Sequence, residues 1–271
     1  MTTESPLGQP STYLDQYAPE LLHPIARASS RDPLGLAEPL PFAGVDIWNA
    51  WELTWLDTDG KPAVATAEIR FPASSTNIVE SKSLKLYLNS FSMSRYVAET
   101  DVAESIEQDL SACVDADVDV CLRKVSALYG ARIARPPGDC LDGLNVQCDA
   151  YEVDTDLLQA DENDIVQEDL YTHLLRSLCP VTNQPDCGSL LIAYRGPRID
   201  RKSLLRYIVS YREHNDFHEA CVERMFVDVL ERCRPEELTV YARYQRRGGI
   251  DINPFRSNFE KEAPNIRLWR Q

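Results

Sequence analysis

The chain repeats itself. Lys82-Ser83-Leu84-Lys85-Leu86-Tyr87-Leu88-Asn89-Ser90-Phe91 aligns without a gap on Lys202-Ser203-Leu204-Leu205-Arg206-Tyr207-Ile208-Val209-Ser210-Tyr211. Five positions are identical and both segments end on an aromatic ring. The offset of 120 is close to half of 271 residues, so the fold must accommodate two versions of one module.

The flanks repeat as well. A strand-like run precedes each segment, Ala63 to Phe71 and Gly188 to Tyr194, alternating or continuously apolar. An amphipathic helix pattern follows each. In Val102 to Cys113 the apolar face is Val102, Ile106, Leu110 and Cys113. In Phe217 to Cys233 it is Cys221, Val222, Met225, Phe226, Val229 and Leu230. Further strand-like runs come next, Val118 to Leu122 and Leu238 to Tyr244, and Gly248-Gly249 makes a two-residue hairpin turn into Ile250 to Phe255. Each half reads β-β-α-α-β-β. Grouped strands and grouped helices predict an α+β fold, two tandem modules each with an antiparallel sheet and helices layered on one face. Residues 1–40, rich in proline, form an N-terminal extension that wraps the surface. The first module spans 41–155 and the second 156–271. The first module's last strand is expected between Arg123 and Asp164.

Composition excludes several classes. Hydrophobic residues make up 44% and charged residues 26%, a globular balance. No apolar run of about 18 residues occurs, and Met1 to Pro10 lacks the basic-then-apolar layout of a signal peptide. The expected setting is cytoplasmic. A net charge of −15 opposes binding to nucleic acid or anionic membrane. The charge is uneven: residues 180–271 carry 16 Lys/Arg against 13 Asp/Glu, a balance of +3, so that half suits an anionic ligand. The eight cysteines show no CxxC pair and no zinc-finger spacing with the four histidines, so no structural metal is expected.

Four constellations carry possible chemistry. In Cys179-Pro180-Val181-Thr182-Asn183-Gln184-Pro185-Asp186 a thiol and a carboxylate flank a proline-stiffened loop. A thiol is a strong nucleophile near neutral pH and a carboxylate can move its protons; the plain alternatives are a buried cysteine and a turn-forming aspartate. In Asp216-Phe217-His218-Glu219, Asp216 reads as an N-cap with Glu219 as its capping-box acid. Alternatively Glu219 accepts paired N–H bonds from a heterocycle and His218 relays protons. In Glu80-Ser81-Lys82-Ser83, Ser81 could cap the following helix and Glu80 be surface charge; alternatively, the divergence of the counterpart Ile199-Asp200-Arg201-Lys202 just before the shared segment points to a division of labour between the modules. The basic strand Arg243-Tyr244-Gln245-Arg246-Arg247-Gly248-Gly249 could surround a phosphate or be a solvated hairpin tip. No GxGxxG follows a strand, and neither a P-loop nor HExxH occurs.

Together these motifs resemble the NADPH-dependent 7-cyano-7-deazaguanine reductases, the nitrile reductases of queuosine biosynthesis. The signature E-S-K-S-x-K-x-Y is complete from Glu80 to Tyr87, and the segments Cys179–Asp186 and Phe217-His218-Glu219 match in order and spacing. The resemblance, over roughly residues 40–260, implies two tunnelling-fold modules, a homodimer and a deazapurine substrate. It implies that Cys179 attacks the nitrile carbon to form a thioimide and that Asp186 is the general acid/base, assisted by His218. NADPH then supplies two hydrides in turn, through an imine, to give the aminomethyl product. Val79, Glu80, Ser81, His218 and Glu219 would bind substrate, and Ser81, Lys82, Arg247 and Gly248 would hold NADPH. Cys187 either pairs with Cys179 in a protective disulfide or has no role. Two other readings compete: a cysteine hydrolase built on Cys179, Asp186 and His218, and a non-catalytic purine- or pterin-binding protein.

Overall fold

The computed structural model describes residues 13–128 and 132–271; the first 12 residues of the expected extension lie outside the described residues. The chain is α+β and divides into two compact units. Unit one takes the residues up to Gly35, Asp46–Arg132 and Arg246–Asp251; unit two takes Leu36–Val45, Ile133–Gln245 and Ile252–Gln271.

In unit one, β1 (Pro24–Ala26) and α1 (Ala28–Arg31) precede β2 (Ala43–Leu56, within the unit from Asp46) and β3 (Pro62–Pro72). After them come β4 (Asn77–Val79), α2 (Ser81–Ser90), α3 (Glu99–Val114) and β5 (Asp119–Lys124). The strands β5, β3 and β2 are neighbours in one sheet, while β1 and β4 form a separate antiparallel pair. Alternation along β3 buries Ala65, Ala67, Ile69 and Phe71. Spacing of four along α3 buries Val102, Ile106, Leu110 and Val114, all at 0% exposure. Each such side chain contributes about 1.5–3 kcal/mol.

Unit two starts with β6 (Asp139–Cys140), then a long hairpin of β7 (Ala160–Leu178) and β8 (Pro185–Ile199). Helices α4 (Arg201–Ser210) and α5 (His218–Cys233) follow, then β9 (Glu237–Tyr244) and β10 (Ile250–Ser257, within the unit from Ile252). The order β-β-α-α-β-β read from the sequence is the order found here. The expectation of a purely antiparallel sheet needs correction. The order is β10-β9-β8-β7-β6, and β6 pairs parallel with β7, opposite Leu170 and Tyr171. Among the described residues the 123–164 stretch, rich in Asp, Pro and Gly, supplies this two-residue strand and the start of β7 rather than a full closing strand for the first half.

The same hydrogen bonds recur in both units. Glu80 caps α2 by accepting from Ser83 N–H (2.7 Å), and Asp200 caps α4 by accepting from Ser203 N–H (2.7 Å). Ser83 Oγ donates back to the Glu80 carbonyl and accepts from His23 N–H; Ser203 Oγ does so with Asp200 and Gln159. Ser90 Oγ accepts from Ala18 N–H and Ser210 Oγ from Asp154 N–H. Tyr87 donates to Asp109 (2.6 Å), and Tyr207 to Asp228 (2.6 Å). Leu84 and Leu204 are both at 0% exposure. Four of the five identities in the repeat are therefore accounted for: two serines that hold an incoming strap, a leucine in the core and a tyrosine that donates to an acid of the next helix.

Candidate active site

The β7–β8 hairpin positions the thiol and the acid. Ser177 pairs with Asp186 and Leu178 with Pro185, and Cys179 N–H donates to Gln184 O (2.9 Å), extending the ladder by one step. Side chains alternate, so Cys179, Ser177 and Asp186 share one face at the hairpin end. The loop between them is clamped. Asn183 N–H donates to the Cys179 carbonyl (3.0 Å), and Asn183 takes φ +54, a left-handed conformation that asparagine tolerates. Asn215 Nδ2 donates to Asn183 Oδ1 (2.5 Å), and Leu178 N–H to the His214 carbonyl (2.8 Å).

That face meets the start of α5. Asp186 is 3% exposed, and His218 Nε2 lies 3.4 Å from its Oδ2. His218 and Glu219 are the first two residues of α5, and Glu219 is 4% exposed. The capping reading of this motif is corrected. Phe217 is the N-cap residue and provides no side-chain cap, while Asp216 Oδ1 accepts from Phe217 N–H (2.8 Å). The buried carboxylate of Glu219 is not the acid of a capping box.

Burial sorts several of the cysteines. It pushes the Cys113 and Cys233 thiols up to about 11 and the Cys221 thiol further still. These remain protonated and unreactive at neutral pH. Cys179 is a half-buried free thiol at the turn, on the face of a buried acid. Cys187 is also a free thiol. It follows Asp186 directly, so alternation turns it to the opposite face from Cys179, which disfavours the disulfide between them.

Unit one holds a second group. Glu80 is 1% exposed and its two oxygens accept from Lys82 N–H (2.8 Å) and Ser83 N–H (2.7 Å). Glu80 rather than Ser81 is the cap, and it is not surface charge. Val79 is buried in β4, and Ser81 and Lys82 open α2 half-exposed. Gly248 and Gly249 form the two-residue turn, at φ +59 and +83, with Arg247 and Ile250 exchanging backbone hydrogen bonds across it. A Cβ on Gly248 would fall 3.2 Å from Lys85 Cδ, so Lys85 of the signature runs beside this turn. Lys85 beside the turn and Arg247 before it put two cationic residues next to a side-chain-free backbone step, chemistry compatible with a phosphate. Arg243 does not join them. It is 1% exposed and donates to Tyr241 OH (2.7 Å) and Asn265 Oδ1 (3.0 Å), a structural role that the basic run in the sequence does not reveal.

Sequence reasoning gave no role to Lys85, Asn215 or Tyr244, although Lys85 and Tyr244 sit inside its motifs. No helix among the described residues is long and apolar enough to cross a membrane.

A half-buried hairpin thiol, a buried carboxylate on its face and an imidazole beside that carboxylate group the residue types of an enzyme site. A family model described as nitrile reductase, 7-cyano-7-deazaguanine-reductase N-term matches residues 13–122, and one described as QueF-like protein matches residues 185–263. An NADPH-dependent 7-cyano-7-deazaguanine reductase of Azoarcus sp. (strain BH72) is 55% identical over 255 residues, covering 94% of this chain and 90% of the relative. Proteins of the same name from Chromobacterium violaceum (52% identity, 98% and 96% covered) and Desulfotalea psychrophila (49% identity, 98% and 97% covered) also match. The chain belongs to the family of NADPH-dependent 7-cyano-7-deazaguanine reductases, and is thereby an oxidoreductase.

Proposed function

We propose that this protein reduces the nitrile of 7-cyano-7-deazaguanine to the aminomethyl group with NADPH, a step of queuosine biosynthesis, through a thioimide on Cys179. The observation that carries this reading is the buried Asp186, with His218 3.4 Å from it, on the face that also bears the hairpin thiol.

A nitrile carbon accepts hydride poorly until a nucleophile has added to it. Cys179 Sγ bonds to that carbon, one C–N π bond breaks, and its electron pair takes a proton at nitrogen. Asp186 is placed to carry that proton from thiol to nitrogen, with His218 Nε2 3.4 Å away to assist. Bound NADPH supplies hydride, two equivalents per nitrile. Asp186 and His218 return a proton for each hydride gained, and the C–S bond breaks as the imine forms, freeing Cys179. Glu219, buried at the head of α5, accepts N–H bonds from the ring. Val79, Glu80 and Ser81 contribute to ring binding; the backbone N–H groups held by Glu80 fix its carboxylate plane and leave further lone pairs to accept. Ser81, Lys82, Arg247 and Gly248 hold NADPH, supported by the phosphate-compatible turn described above.

The recurrent caps and Tyr–Asp bonds support two tandem modules of one kind; that these are tunnelling-fold modules spanning 41–155 and 156–271, in a cytoplasmic homodimer, is proposed from the family resemblance. Incubation with NADPH and the nitrile tests the activity. Two NADPH consumed per amine formed is the expected result. Ammonia release without NADPH would show a cysteine hydrolase, and ring binding without turnover a non-catalytic protein.

A further inference from the structure

His218 is supported from behind. Its imidazole lies against the phenol ring of Tyr244, with centroids 3.9 Å apart and planes inclined by 39°. Tyr244 is the last residue of β9 and 0% exposed, so its ring has nowhere else to go. Its backbone is fixed on both sides: Gln271 Nε2 donates to its carbonyl (2.6 Å), and Gln245 N–H, one residue on, donates to Cys187 O (2.8 Å).

The strand opposite makes room for that ring. Gly188 of β8 is the ladder partner of Tyr244, and a Cβ there would stand 3.2 Å from Tyr244 Cδ1. Gly188 is not among the residues of positive φ, so no backbone conformation demands a glycine at this position. What the missing side chain provides is space. Asp186 lies two residues before Gly188 and therefore on the same face. One face thus carries the acid, the gap and the ring that fills the gap, while α5 lays His218 across them.

The rotation of an imidazole about its last torsion is broad and must be set by packing. At the head of a helix, His218 has neighbours from α5 on one side only. We propose that Tyr244 is a positioning residue for nitrile reduction: its ring holds the His218 imidazole with Nε2 toward Asp186, and Gly188 exists to admit that ring. This rests on the roles assigned to Asp186 and His218 above.

The test compares Tyr244→Leu, Tyr244→Phe and Gly188→Ala by steady-state kinetics with the nitrile and NADPH, and by the ring proton resonances of His218, assigned by its loss in His218→Asn. A misplaced catalytic group loses rate rather than affinity, by up to about 100-fold for a displacement near 1 Å. Tyr244→Leu should therefore lower kcat by roughly 10- to 100-fold at nearly constant KM for the nitrile. The His218 resonances should move downfield as the ring current of Tyr244 is lost. Tyr244→Phe, which keeps the ring, should restore most of kcat and the wild-type resonances. Should Tyr244→Leu not fold, Gly188→Ala carries the test, because its closest contact, 3.2 Å to Tyr244 Cδ1, presses on the ring without removing it, beside contacts of 3.3 Å to the Arg243 carbonyl and 3.4 Å to Leu175. Its kcat should fall and its His218 resonances shift together.

Full kcat in folded Tyr244→Leu would overturn the proposal, as would shifted His218 resonances with unchanged kcat in Gly188→Ala. A Tyr244→Phe as impaired as Tyr244→Leu would assign the effect to the hydroxyl and overturn it equally. A wild type that consumes no NADPH contradicts the reductase reading itself, whereas an active wild type beside an equally active Tyr244→Leu contradicts only the role of Tyr244.

Discussion

His218 Nε2 and Asp186 Oδ2 lie 3.4 Å apart with both side chains largely out of solvent, one at the head of a helix and the other near the end of a hairpin strand. Neither element alone makes an acid–base group. Asp186 is 3% exposed on the hairpin strand, and the packing of α5 against that strand brings His218 beside it.

If that pair moves the protons of the reaction, replacing its acid by an isosteric amide removes the step without disturbing the packing. Asp186→Asn should lower kcat by about 10²–10⁴-fold, the usual contribution of a general acid–base group. Turnover near the wild-type rate would return Asp186 to the role of a turn residue.

Glu219 is buried at the head of α5, and the proposed function gives it the ring's N–H groups to accept. Glu219→Leu should weaken nitrile binding by about 1–3 kcal/mol, measured by calorimetry, because donors of the ring are left unpaired. Unaltered affinity would mean that the carboxylate serves only the helix.

The Gly248 turn offers a separable test. Its φ of +59 and the nearness of Lys85 both oppose a side chain. Gly248→Val should raise KM for NADPH while leaving the KM for the nitrile unchanged, and should cost about 1–3 kcal/mol of stability for the strained backbone. A rise in the nitrile KM instead would detach this turn from the cofactor.

Alkaline pH should unfold the protein steeply. Burial is the largest cause of the raised values of Tyr87, Tyr194, Tyr207, Tyr211 and Tyr244, all held well above 10. Their folded values exceed the unfolded one, so the stability tied to the protonated phenols is whole below about pH 10 and drains away as pH rises further. The melting temperature should fall above that pH, with tyrosinate absorbance growing in step with unfolding. Titration of these phenols within a folded chain would contradict the burial assigned to them.

The repeat made the α+β order legible because its identities do structural work that sequence alone exposes: Ser83 and Ser203 tie straps, Tyr87 and Tyr207 donate to acids of the following helix. The order of residues around Cys179 and Asp186 was legible for a similar reason, since a hairpin joins neighbours in the chain. Glu80 was misread as surface charge because its burial depends on the pairing of Val79 with Pro24, 55 residues away. Arg243 was misread because its partner Asn265 comes from the segment after β10. Tyr244 was quoted only as part of a basic strand, because its contact with His218 exists only once β9 and α5 are packed.

The claim at the centre is that Cys179 makes the nitrile reducible. Intact-protein mass spectrometry with 7-cyano-7-deazaguanine and no NADPH measures it directly. The wild type should gain the mass of one nitrile, mapped to Cys179, and Cys179→Ala should gain nothing while still binding the ring. An adduct that survives in Cys179→Ala, or its absence from a wild type active with NADPH, would contradict it.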